Sequence, residues 1–158
     1  MEKELTAVCT ECRNFFIKTI EQGWYTLTDG EIPVKDTYIA GQYVYLVGSM
    51  VNDGVHKVDE ASNGTIRISG TTNEEFRGAI CGLAIPQDFL EVVKEIEAQM
   101  AIEASDTSDK TLQSESFSNY SYNRASGGGA SGGVAATWKE AFATKLNPYR
   151  KMYRERVV

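Results

Sequence analysis

In the pattern of apolar and polar positions the best-defined element is residues 41–58, GQYVYLVGSMVNDGVHKV. Tyr43, Tyr45 and Val47 share one face of a period-two strand, and Val44 and Leu46 take the other, so a strand covered on both sides is predicted. Asn52-Asp53-Gly54 tolerates positive φ and predicts the reversal, with residues 55–58 as the return strand. The hairpin carries no chemistry. It is the element around which the flanking helices are expected to pack.

Ahead of it, Leu5, Val8, Cys9, Cys12, Phe16, Thr19 and Ile20 recur at three- and four-residue spacing, which predicts an amphipathic helix over residues 2–22 closed by Gly23. The period then falls to two. Strands are predicted at 24–27, 42–47, 55–58, 65–68 and 76–81, with a helix over 72–80 as the alternative to the last. Five short strands make a small antiparallel sheet or partial barrel inserted between helices, and Gly78 and Gly82 mark a bend or a close backbone approach. Pro86 opens a second helix with Phe89, Val92, Val93, Ile96 and Met100 on its apolar stripe, fading near Ala104.

Residues 105–133 are rich in Ser, Thr, Asn, Asp and Gly, yet contain Phe117, Tyr120 and Tyr122. So long a connection is functional or disordered, and its aromatics suggest an arm that orders against something such as a neighbouring copy. A third helix is predicted from Val134, carrying Trp138, Phe142, Leu146, Tyr149 and Tyr153, with Pro148 kinking or restarting it and Asn147 pushed out of the α region. The expected class is α+β: a helical core of three main helices, an inserted small sheet and a long flexible arm. Its stretches are a body at 1–104, the arm at 105–133, and a C-terminal helix with a basic tail at 134–158.

Composition changes this picture little, and charge changes it more. With 42% hydrophobic and 24% charged residues the chain is of globular type. A net charge of −6 opposes a dedicated duplex binder, whose affinity comes from Lys and Arg on phosphates. Against that, Arg150, Lys151, Arg154 and Arg156 face only Glu155 at the end. No apolar run is long enough for a membrane helix, and MEKELTAVCTEC does not resemble a signal peptide, so a cytosolic protein or a particle assembled there is expected. Cys9, Cys12 and Cys81 are then free thiols.

Each candidate for chemistry has a plainer account. Cys9-x-x-Cys12 has the spacing of a redox or zinc pair, but both cysteines lie on the apolar stripe and only Cys81 and His56 could complete a metal site, so core packing is the favoured reading. His56 lacks a recognisable nucleophile partner. The glycine run 127–133 lacks the Gly-Lys-Ser/Thr ending of a phosphate loop and reads as a linker. Asp29, Glu31, Asp53, Asp59, Glu60, Glu74 and Glu75 read as solvated loop charges. No catalytic constellation, cofactor or metal is expected. Trp138 and Phe142 complete the core or meet a partner, whereas Tyr149, Arg150, Lys151, Tyr153 and Arg154 form the aromatic and basic mixture that interfaces enrich.

The ordered set of features carries a resemblance: an N-terminal helix; the GQYVYLVGS–NDGVHKV hairpin; Phe76-x-Gly78-x-Ile80-x-Gly82-Leu83-Ala84-Ile85-Pro86 entering a helix; Ser114-Glu115-Ser116-Phe117-Ser118-Asn119-Tyr120-Ser121-Tyr122; then a Trp helix and Leu146-Asn147-Pro148-Tyr149-Arg150-Lys151. Together these resemble head–tail connector (adaptor) proteins of long-tailed phages of Gram-positive hosts. The resemblance implies a structural virion protein. It would form a dodecameric ring under the portal, extend the DNA channel without sequence-specific binding, and dock the next head-completion (stopper) or tail protein. It also implies that Phe117, Tyr120 and Tyr122 lie across a neighbouring subunit and that the C-terminal residues meet the portal. The alternative is a small nucleic-acid-binding or regulatory module acting through the basic tail.

Overall fold

The computed structural model describes residues 1–110 and 137–151. In chain order it contains α1 (Glu2–Cys12), β1 (Ile17–Leu27), β2 (Glu31–Pro33), β3 (Tyr43–Val47), β4 (Gly54–Lys57), β5 (Glu60–Ser62), β6 (Thr65–Arg67), β7 (Glu74–Leu83), α2 (Gln87–Lys110), α3 (Trp138–Ala141) and α4 (Ala143–Leu146), then a 3₁₀ turn at Asn147–Tyr149. The class is α+β. Its strands form two antiparallel sheets rather than one, ordered β1-β7-β3-β4 and β2-β6-β5.

The first helix is shorter than its hydrophobic spacing predicts. Arg13 (φ 51°) and Phe16 (φ 54°) are both left-handed, and between them Asn14 accepts the Phe16 N–H at 3.1 Å, so the chain turns sharply instead of continuing. Phe16 still reaches the core, which is why it mimics the next helical position. From Ile17 the chain is strand, and Gly23, expected to end the helix, lies inside β1 opposite Gly78. Glu21, Tyr25 and Leu27 point inward, while Lys18, Ile20, Gln22, Trp24 and Thr26 point out.

The four-stranded sheet separates two cores. On one face α1 and α2 bring Leu5, Val8, Cys9, Cys12, Phe89, Val93 and Ile96 onto Cys81 and Leu83, with Tyr43, Tyr45 and Val47 packed beside them. On the other, Val44, Leu46, Tyr25, Phe76 and Ile80 meet Ile32, Ile66 and Ile68 of the small sheet and its margin. β3 is thus covered on both sides, as its two apolar faces predict. Residues 74–83 are strand, settling the helix alternative. Gly78 supplies the close approach: a Cβ there would lie 1.9 Å from the Val47 carbonyl oxygen. The edge strand β4 is blunted by α1, because Thr6 accepts the Val55 N–H at 3.0 Å and Glu2 the Lys57 N–H at 2.8 Å.

The reversal between β3 and β4 is not a tight Asn-Asp-Gly turn. It is a six-residue loop, with positive φ at Gly48 and Gly54 but not at Asn52 or Asp53. Buried Asn52 exchanges two hydrogen bonds of 2.8 Å with the Thr72 backbone. Glu74 accepts from the Ser49 hydroxyl, the Met50 N–H and Asn52 Nδ2, and these bonds, the Ser49 hydroxyl foremost, hold its carboxyl below the usual carboxylate range. Asp59 likewise binds Ser69, so these two acids are loop clamps rather than merely solvated charges.

α2 continues to Lys110, past the predicted end near Ala104, so residues 105–110 of the expected arm are helical. The rest of that stretch, with Phe117, Tyr120 and Tyr122, lies outside the described residues. The predicted single C-terminal helix is, where described, two one-turn helices and the 3₁₀ turn. The break falls at Phe142 (φ −104°, ψ 5°), while Asn147 stays helical at φ −51°, ψ −42°. Pro148 opens a new turn, where its missing N–H forfeits no hydrogen bond, so of the two expected outcomes the helix restarts there rather than kinks.

Candidate interaction site

The C-terminal segment returns to the start of the chain and closes over the end of α1. Trp138 and Leu146 are buried in the helix-side core, with Phe142 packed against it. Tyr149 stands edge-on to Phe89, ring centroids 5.0 Å apart, and near Phe16 at 6.4 Å. Its hydroxyl donates to Asp88 at 2.5 Å, and that bond to a carboxylate raises the phenol pKa. Asn14 Nδ2 donates to the Tyr149 carbonyl at 2.9 Å, and the Lys151 N–H donates to the Cys12 carbonyl at 3.0 Å, satisfying one of the last carbonyls of α1. Trp138, Phe142 and Tyr149 therefore all have contacts within the chain. Tyr153 and Arg154 lie outside the described residues.

These contacts frame a groove of about 680 Å³ whose rim is charged. Arg13, Lys139, Arg150 and Lys151 line it together with one carboxylate, Glu11, and the buried Trp138 forms part of the wall. Glu11 is shared: Arg150 reaches it at 3.0 Å and Lys139 at 3.4 Å, with the Lys139 ammonium also 5.7 Å from the Trp138 ring centroid. Arg13 and Lys151 have no ion-pair partner among the described residues. Arg13 is exposed and occupies the left-handed position after α1, where its own N–H donates to the Thr10 carbonyl and the Asn14 N–H to the Cys9 carbonyl. Glycine is the unstrained residue for such a cap.

Cys9 sits in the core behind the groove, and Cys12, also buried, forms part of its lining. Burial pushes the Cys9 thiol up to about 12, and Cys12 rises for the same reason despite the nearby Arg150. Neither is a thiolate at neutral pH. Among the described residues no group of three or more His, Cys, Asp and Glu could hold a metal ion, and His56 contacts the Asn52 carbonyl at 2.8 Å. No described helix is long and apolar enough to cross a membrane.

Arg13 and Glu11 escape sequence reasoning, because a helix running to residue 22 makes them ordinary surface charges, and Lys139 escapes because only the return of the chain across α1 sets it beside Glu11. A second surface escapes as well. Trp24 is 76% exposed and Ile20 58% on the outward face of β1, and Met50 is 93% exposed on the clamped β3–β4 loop.

No family profile, curated protein or solved structure matches the chain.

Proposed function

We propose that the chain is a structural virion subunit, a head–tail connector (adaptor). In this reading it joins copies of itself in a dodecameric ring beneath the portal, extends the DNA channel, and docks the stopper or tail protein. It is assembled in the host cytoplasm and resides at the head–tail interface. The observation that carries this reading is the C-terminal segment. Its Leu146-Asn147-Pro148-Tyr149-Arg150-Lys151 run is fastened to the body by packing, backbone bonds and an ion pair, and it delivers the chain to a cationic groove. A closed ring needs two different complementary faces on each subunit, and the molecule carries two unlike exposed surfaces. One is the charged groove. The other is the outward side of β1, where Ile20 and Trp24 stand exposed.

Portal contacts then come from the exposed Arg150 and Lys151 together with Tyr153 and Arg154, while Trp138 and Phe142 shape the platform beneath them. Phe117, Tyr120 and Tyr122 reach the neighbouring subunit. A net charge of −6 suits a channel that borders DNA without gripping it. The second reading, a nucleic-acid-binding or regulatory module, draws on the same cations and is opposed by that net charge.

Where the chain is cut decides whether a truncation tests this. Removing residues 148–158 also removes Tyr149 from the core and the cap on Cys12, so it damages the fold. Removing 152–158 spares both. That shorter deletion is expected to melt within about 2 °C of the full chain, a shift worth well under 1 kcal/mol, while failing to join portal-bearing heads to tails. Normal joining by the 152–158 deletion would remove the tail's role.

A further inference from the structure

We infer that the groove between the end of α1 and the C-terminal segment is a docking site for an acidic peptide segment of a partner protein. Carboxylates of that segment would meet Arg13 and Lys151. Four cations line the groove, and the single carboxylate among them is already shared by Lys139 and Arg150. The negative end of α1 calls for only about half an elementary charge of compensation. The cationic excess therefore exceeds what the helix requires, and its two unpaired members lie at adjoining points: the residue following Cys12, and the residue whose N–H caps Cys12.

Arg13 also holds a left-handed backbone conformation, φ 51°, that glycine adopts without strain. Its guanidinium offers the planar fork that pairs two-pronged with a carboxylate. Concavity favours a peptide over a duplex. A groove of about 680 Å³ with Ala7, Cys12 and Trp138 in its lining takes several side chains with their apolar stems, whereas a duplex presents a broad charged surface that a protein of net charge −6 repels. The inference rests on the connector reading only for which protein supplies the acidic segment.

The test measures fluorescence anisotropy of a labelled, capped peptide of alternating Glu and Gly on the full chain, at about 100 mM salt where exposed charges more than about 10 Å apart are screened. Arg13→Gly and Lys151→Glu are each expected to weaken binding about fivefold or more, while Lys94→Glu, on the exposed face of α2, leaves it unchanged. Arg13→Gly should also keep or raise the melting temperature, which separates lost binding from lost folding. A Lys-Gly peptide should not bind. Unchanged affinity in both groove variants would overturn the inference. So would a short DNA duplex that outcompetes the peptide through the same two residues, or a loss of binding that only accompanies a lower melting temperature in both variants. If the variants lose the peptide yet heads still acquire tails, the acidic docking stands and its partner is not a component of that joint. If they keep the peptide while joining fails, the acidic docking falls and the connector reading stands.

Discussion

Gly78→Ala is expected to cost about 3 kcal/mol or more, enough to leave much of the chain unfolded at 37 °C. The added Cβ would sit 1.9 Å from the Val47 carbonyl oxygen, and that atom is backbone, so no side-chain rotation relieves the clash. Relief requires β3 to move off β7, which breaks a ladder running from Val44↔Gly82 to Val47↔Ala79. β7 is hydrogen-bonded to strands on both sides, so the disturbance reaches both cores. The control lies directly opposite. Gly23 pairs with Gly78, but a Cβ at Gly23 would meet nothing nearer than the Lys35 ammonium at 3.9 Å, the end of a flexible side chain. Gly23→Ala is therefore expected to change stability by less than about 1 kcal/mol. Urea unfolding of the two variants side by side measures the difference, and equal midpoints would show that β3 and β7 do not cross as closely as described.

Phe89→Ala is expected to cost about 3–5 kcal/mol, the range for emptying a fully buried aromatic site. Phe89 joins three separate parts of the chain, with its ring 4.8 Å from Phe16 and 5.0 Å from Tyr149. Its loss should loosen the C-terminal segment before the sheet. Amide exchange at Lys151 and Leu146 should accelerate more than exchange within β7. Phe89→Leu, which keeps much of the volume, should cost about 1.5 kcal/mol or less. Uniform acceleration across the chain in Phe89→Ala would indicate that the C-terminal segment is not held through this contact.

The legible parts of the fold are those where one period governs a whole element. β3 is apolar on both faces of its two-residue period, and α2 repeats its apolar stripe from Phe89 to Ile96, so both follow from pattern alone. The end of α1 does not. Phe16 falls at a helical spacing from Cys12 but reaches the same core through two left-handed residues, and no local propensity separates those routes. β2 and β5 are three residues each, too short for alternation to register, and Pro33 argues against a strand except at the edge position it occupies. The groove is illegible for a different reason. Glu11 and Arg150 are 139 positions apart, and only the return of the chain across α1 makes them neighbours. The exposure of Trp24 likewise depends on where the helices stop covering the sheet, which is a property of packing and not of residues 17–27.

The thiols are buried and the β3–β4 loop is clamped, while Arg13, Lys151 and the outward Trp24 are exposed. In the proposed reading the molecule works by occupying a place between subunits. Negative-stain imaging of the purified chain mixed with its presumed portal protein addresses this most directly. The expected result is an added ring of density on one face of the portal, lost with the 152–158 deletion. Bare portals beside free monomers that neither join each other nor bind the vertex would contradict it.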